Sequence, residues 1–412
     1  MVKQKTLKNG LRVIVKQMEG LYSVTMGILV GTGSSVETDA EDGISHFIEH
    51  MQFKGTQKRN SYEISDAFER IGAQVNAFTA KDITCYYSKC TKDHTAESFE
   101  ILADLFLNAT YPKEEIDREK GVICEEISMN EDTPEDLCLD LLATASFGNQ
   151  GYGRNILGPA ATVQGFTMDD VNRYKSERYC PENIVISFAG SIDFEQAFEL
   201  VERYFAQMPK GNFVQRKAPE QLIQSSLLKT KPIEQYHMAI GYPTIGRHHP
   251  KGHALQTMNS ILGGGMSSRL FQEVREKQGL AYSVYSYPSL YDPFGILTIY
   301  AGVNAAKANA AYEAIDKVIR DLREKGVTDE EFIRAREQMK ASMIYSLEST
   351  SSQMLIYAKE LLFKNEIYNF DERFSDINLM NKNDVLELID YTFAPNGKSV
   401  AVVGNTETPL PL

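Results

Sequence analysis

Two histidines, His46 and His50, stand four residues apart with Glu49 between them. On a helix, residues i and i+4 lie about 40° apart around the axis, so both imidazoles face one way and can hold a single metal ion. Glu49 projects near that face, where its carboxylate can take a proton from a water activated by the metal. The order is His-x-x-Glu-His, the reverse of the commoner zinc-protease signature His-Glu-x-x-His. The chain holds only seven histidines in 412 residues, so a histidine-rich surface does not explain the spacing.

Ile44, Phe47, Ile48 and Met51 recur at i, i+3, i+4 and i+7 through the same stretch, a stripe that docks a helix on a core. Asp42 or Ser45 is placed to cap its start. A catalytic zinc takes three protein ligands and keeps one position open, so a third ligand must come from elsewhere. Residues 118–127 are the best source. There Glu119 and Glu126 are seven residues apart, two helical turns, and point the same way, with Ile116, Ile123 and Ile127 as apolar neighbours. Taken alone, such glutamates describe a solvated helix face. Their meaning comes from conjunction with the histidines.

The motif continues as Met51-Gln52-Phe53-Lys54-Gly55-Thr56, followed by Glu119 and Glu126. This combination resembles the inverted-motif zinc peptidases of the pitrilysin and insulysin family, in particular the half-length branch that includes the mitochondrial processing peptidase subunits. The resemblance implies one zinc ion per chain on His46, His50 and Glu126, Glu49 as general base, and Glu119 supporting the site. Glu125 competes as third ligand, but the seven-residue offset from Glu119 favours Glu126. Residues 71–79 and 83–87, rich in β-branched and aromatic side chains, read as strands. In the family the Asn-Ala-x-Thr strand, here Asn76, Ala77, Phe78 and Thr79, is a sheet edge to which an extended peptide adds; without the zinc motif it would read as an ordinary edge strand. In the second half, the resemblance marks Arg275 and Tyr282 as a pair that contacts substrate and stabilises the tetrahedral intermediate, as donors aimed at developing negative charge do. The nearby Gly263-Gly264-Gly265 lacks the Gly-Lys-Ser/Thr of a phosphate loop and reads as a turn before a helix.

Other candidate chemistry is weaker. His248, His249 and His253 have no carboxylate or cysteine close in sequence and read as a polar loop, and His94 and His237 as ordinary surface or strand residues. The five cysteines are odd in number and lack Cys-x-x-Cys spacing, which predicts reduced thiols. A net charge of −13 argues against a nucleic-acid partner, which needs a basic face. Acidity could draw basic peptides into a cleft, and it also serves solubility alone. No apolar run approaches a membrane span and the first residues lack a secretory segment, so a cytoplasmic location is expected.

The elements that must position these residues fall into two similar series. The first is a hairpin over residues 7–15 turning at Asn9-Gly10, a strand over 24–31, the metal helix, a helix over 61–71 and the edge strands. Long helices over 96–129 and 167–179, a strand over 183–188 and a helix over 194–208 complete it. The second has strands over 235–242, 281–286 and 296–302, helices over 253–262, 305–324 and 329–347, and a final strand near 398–404 that echoes 183–190. The prediction is an α+β fold of two homologous modules, 1–212 and 231–412, joined by a linker at 213–230. Each is a largely antiparallel sheet with helices on one face. Relatives of twice this length form a clamshell of four modules around a chamber, so the resemblance implies a homodimer with composite active sites. It also implies a zinc-dependent endopeptidase acting on short or unfolded peptides. The alternative is a non-catalytic peptide-binding or structural subunit, a class that usually loses zinc-set residues this chain retains.

Overall fold

The computed structural model describes residues 1–217, 222–395 and 397–406. The first half runs β1 (Val2–Thr6), β2 (Arg12–Gln17), β3 (Ser23–Val30), α1 (Ile44–Met51), α2 (Ser61–Arg70), β4 (Gln74–Thr79), β5 (Thr84–Thr91), α3 (Thr95–Asn108), α4 (Lys113–Asp132), α5 (Pro134–Phe147), α6 (Ala160–Gly165), α7 (Met168–Arg178), β6 (Ile184–Gly190) and α8 (Phe194–Phe205). The second runs β7 (Ser226–Thr230), β8 (Gln235–Ile245), α9 (Gly252–Leu262), β9 (Ala281–Leu290), β10 (Phe294–Asn304), α10 (Ala308–Lys325), α11 (Asp329–Glu348), α12 (Thr350–Lys364), α13 (Phe370–Leu379), α14 (Lys382–Thr392) and β11 (Ser399–Gly404).

The strands form two sheets, ordered β1-β2-β6-β3-β5-β4 and β7-β11-β8-β10-β9. Each has a single parallel pair, β2 with β6 and β7 with β11, and is antiparallel elsewhere. Setting β2-β6-β3-β5-β4 against β7-β11-β8-β10-β9 matches strand for strand in order and sense, so the two modules share one topology with β1 as an addition. The expected hairpin is present: Thr6 faces Arg12, and Asn9-Gly10 turns between them with Gly10 at φ 98°.

In the first sheet the pleat sends Val13 and Val15 of β2 to one face and Ile14 to the other. The first face carries the main core, with Phe47 and Ile48 of α1 and Leu102 and Phe106 of α3. On the other face Ile14, Leu29, Cys85 and Val185 are covered by Met354, Tyr357 and Leu361 of α12. Gly27 permits this close approach, because a Cβ there would stand 2.5 Å from the Met354 sulfur. Thr25 bonds Thr350, and Ser187 donates to the Met354 carbonyl, pinning the helix. In the second sheet Cys138 and Leu142 of α5 cover Ala239, Ala401 and Val403 in the same manner. Most helices therefore lie on one face of each sheet, and one helix takes the other.

The compact units are consequently not contiguous in sequence. One comprises Met1–Ser128, Arg154–Ala218 and Tyr345–Tyr368, and the other Met129–Gly153, Pro219–Ile344 and Asn369–Leu412. The halves expected at 1–212 and 231–412 describe chain order; α5 and α12 are each assigned to the opposite unit. Two further expectations are corrected. The single helix over 96–129 is two helices, because Pro112 ends the run and Tyr111 takes φ 51°. The linker at 213–230 includes β7, whose residues pair with β11, while 218–221 lie outside the described residues.

Candidate active site

Helix α1 carries the motif and is held at both ends of its first turn. Gly43 precedes it at φ 94°, and a Cβ there would meet the Leu157 carbonyl oxygen at 2.5 Å. Contrary to the expectation from sequence, neither Asp42 nor Ser45 caps the helix with its side chain; the N-cap is Gly43. The buried Glu37 carboxylate instead accepts the backbone N–H groups of Gly43 and Ser45, each at 2.8 Å, and thereby serves orphan donors at the positive end of the helix dipole. Asp42 is engaged with Arg154 at 2.7 Å. Burial pushes the Glu37 carboxyl up to about 7, against those two amide donors and Ser45.

The ring centroids of His46 and His50 lie 4.5 Å apart. Their Nε2 atoms stand 3.7 and 3.6 Å from Glu126 Oε2 of α4. These three residues form the one group of histidine, cysteine and carboxylate side chains, among the described residues, that could hold a metal ion. Two ligands bound at about 2.1 Å at a tetrahedral angle are roughly 3.4 Å apart, close to the spacing seen here. Two imidazole nitrogens and a carboxylate oxygen converging on one point offer three donors to a single cation. The donor set, two histidines and a glutamate with one position left open, suits zinc. Glu125, the competing residue, is exposed and outside the group.

The ligands have their own support. Glu119, only 1% exposed, accepts from His50 Nδ1 at 3.0 Å through one oxygen and from Lys54 Nζ at 2.6 Å through the other. Donation from Nδ1 leaves the Nε2 lone pair of His50 free for a metal. Burial works to lower the His50 pKa, but the Glu119 hydrogen bond and the charges of Glu126 and Glu49 outweigh it and raise it. Burial, helped by His50, pushes His46 down to about 4, so it is neutral near pH 7. Burial would raise Glu119, but its bonds to His50 and Lys54 hold it low. Glu49, the expected base, is raised by burial despite a hydrogen bond from Thr79 Oγ1 at 2.6 Å.

Strand β4, with Asn76, Ala77 and Phe78, is the edge of its sheet and packs near α1. The Ala77 N–H is bonded to the Asn76 side-chain oxygen at 2.8 Å rather than to β5, so it points to the open edge. Arg275 and Tyr282 belong to the other unit. Arg275 lies in a π-helical turn, Phe271–Lys277, with its guanidinium 5.3 Å from the centre of the Tyr282 ring; Tyr282 is 78% exposed. The triple glycine forms the turn after α9, as expected. All five cysteines are free. Sequence reasoning passed over Lys54, Thr79 and Glu37 as individual contributors. Lys54 lies just after the metal motif and Thr79 ends the edge strand, while Glu37 carries no local signal.

Residues 12–160 match the family described as insulinase, peptidase family M16, and residues 165–339 match the peptidase M16 inactive domain. A Bacillus subtilis protein named uncharacterized zinc protease YmxG is 41% identical over 95% of this chain and 96% of its own length. The chain belongs to peptidase family M16. Every metal-site residue above falls within the first M16 match, and Arg275 and Tyr282 fall within the second. The M16 fold is shared with a peptidase M16 inactive domain from Pseudomonas fluorescens, at TM-score 0.92 and 20% identity over the whole of both chains. It is shared too with a Helicobacter pylori protease, at TM-score 0.90 and 23% identity over 98% of this chain and 99% of the other. No helix among the described residues of this M16 chain is long and apolar enough to cross a membrane.

Proposed function

We propose that the chain is a zinc-dependent endopeptidase, of the processing-peptidase kind, that hydrolyses peptide bonds in extended or unfolded peptides. The observation that carries this reading is the convergence of His46, His50 and Glu126 with Glu49 one residue from a ligand. Zinc bound there would supply Lewis acidity toward the scissile carbonyl and acidify a water. Glu49 accepts the proton of the attacking water and returns it to the leaving amine. The edge of β4 binds substrate main chain once the Asn76 side chain yields the Ala77 N–H, so sequence is read only through side-chain pockets. Arg275 and Tyr282 donate to the developing oxyanion. In a homodimer that pair serves the zinc site of the opposite chain. Zinc naming of a 41%-identical relative supports the metal choice.

Two experiments test this. Purified protein is expected to hold one zinc per chain and to cleave a mixed set of unfolded basic and acidic peptides, with activity lost to a chelator and restored by zinc. Cleavage that survives complete metal removal contradicts it. For the dimer, mixing Glu49→Gln and Arg275→Ala chains is expected to restore part of the activity each lacks; a verified mixed dimer without activity contradicts the trans arrangement.

A further inference from the structure

Strand β4 contributes more than an edge. Its pleat places Val75, Ala77 and Thr79 on one face. Val75 and Ala77 pack against the core that includes Phe47 and Ile48 of α1, and Phe78 turns to the opposite face. Thr79 is thereby carried to the side of α1, where its hydroxyl donates to Glu49 Oε2 at 2.6 Å. That is the short distance of a charge-assisted O–H···O bond. Glu49 has three side-chain torsions, and among the described residues no other side chain hydrogen-bonds to it. One anchored oxygen fixes the carboxylate plane and leaves Oε1 to meet water.

We infer that Thr79 is a positioning residue for the general base, and that the strand receiving the peptide also sets the base. The inference rests on the peptidase reading above. A peptide pairing with β4 docks on the strand that already holds Thr79 against Glu49, so the substrate meets a base that is set beforehand. A misplacement of about 1 Å in a reacting group can cost 100-fold in rate. A flexible, unanchored Glu49 should therefore lose kcat while peptide affinity and zinc loading stay intact.

Thr79→Val removes the hydroxyl, keeps the shape and suits a strand; Thr79→Ser keeps the donor. In the full-length zinc-loaded protein, Thr79→Val is expected to lower kcat roughly 10- to 100-fold with KM and zinc content unchanged. Thr79→Ser is expected to stay within about threefold of wild type. Crystal structures should show one Glu49 rotamer in wild type and Thr79→Ser, and several in Thr79→Val. Peptide affinity in Glu49→Gln should not change when Thr79→Val is added. Wild-type kcat in Thr79→Val, a loss confined to KM, a loss of zinc or of the melting transition, or failure of Thr79→Ser to rescue each overturns the proposal. Wild-type protein that cleaves none of the peptides overturns the peptidase reading itself, and this inference with it.

Discussion

Glu119 shows how the site is held at the scale of single residues. It is buried, both oxygens are engaged, and one of its partners is His50 of the candidate metal group. Removing Glu119 or Lys54 from the Lys54–Glu119–His50 chain should loosen the imidazole rather than delete a ligand. Glu119→Gln and Lys54→Met are each expected to weaken zinc binding about 10- to 100-fold, measured by competition with a chelator, without abolishing it. Unchanged affinity in both would show that His50 is oriented by other means. The grouping of the candidate ligands was legible in sequence because a helix converts fixed spacings into shared direction, for His46 with His50 and for Glu119 with Glu126. Lys54 and Thr79 were not, because their partners arrive from other elements and no spacing encodes such a meeting.

Helix α1 depends on two devices that periodicity does not reveal. Its apolar stripe was readable and does dock on the core through Phe47 and Ile48. The Glu37 clamp and the Gly43 turn were not, since both require knowing how the preceding loop folds back. Gly43→Ala combines a left-handed backbone with contact against the Leu157 carbonyl. It is expected to cost about 2–4 kcal/mol in denaturant unfolding and to lower zinc occupancy; a wild-type midpoint would contradict the tight approach. Helix α7 supplies a pH-dependent case. Lys175 bonds Gln52, the Phe106 carbonyl and Tyr111, and burial pushes its ammonium down to about 7. The unfolded chain then binds more protons than the folded one between about pH 7 and 10.5, so this lysine destabilises most below pH 7 and progressively less above it. Lys175 as a residue is half-buried rather than fully so, which reduces the effect. Relative to wild type, the stability advantage of Lys175→Met is expected to shrink by ~1 kcal/mol per pH unit between pH 7.5 and 9.5. A pH-independent difference would contradict the assignment.

The α+β class and the duplicated topology of the whole molecule were readable from the recurring order of strands and helices. The exchange of α5 and α12 was not, because an amphipathic helix declares an apolar face without naming the sheet that will cover it. Its consequence is testable by dissection. A fragment of residues 1–217 lacks α12 and leaves Ile14, Leu29, Cys85 and Val185 without cover. It is expected to bind hydrophobic dyes and to melt without cooperativity, whereas a cooperative, zinc-binding fragment would make α12 dispensable. The same exchange argues against reading the second half as a detachable accessory, since the unit that carries His46, His50 and Glu126 includes residues 345–368.

The measurement that bears most directly on the central claim is peptide cleavage by wild type and by Glu49→Gln, each with its zinc content determined. The account predicts one zinc per chain in both, cleavage by wild type, and a loss of at least about 100-fold in Glu49→Gln. Equal cleavage by the two proteins would contradict the role of Glu49, and a wild type without bound zinc would contradict the metal site itself.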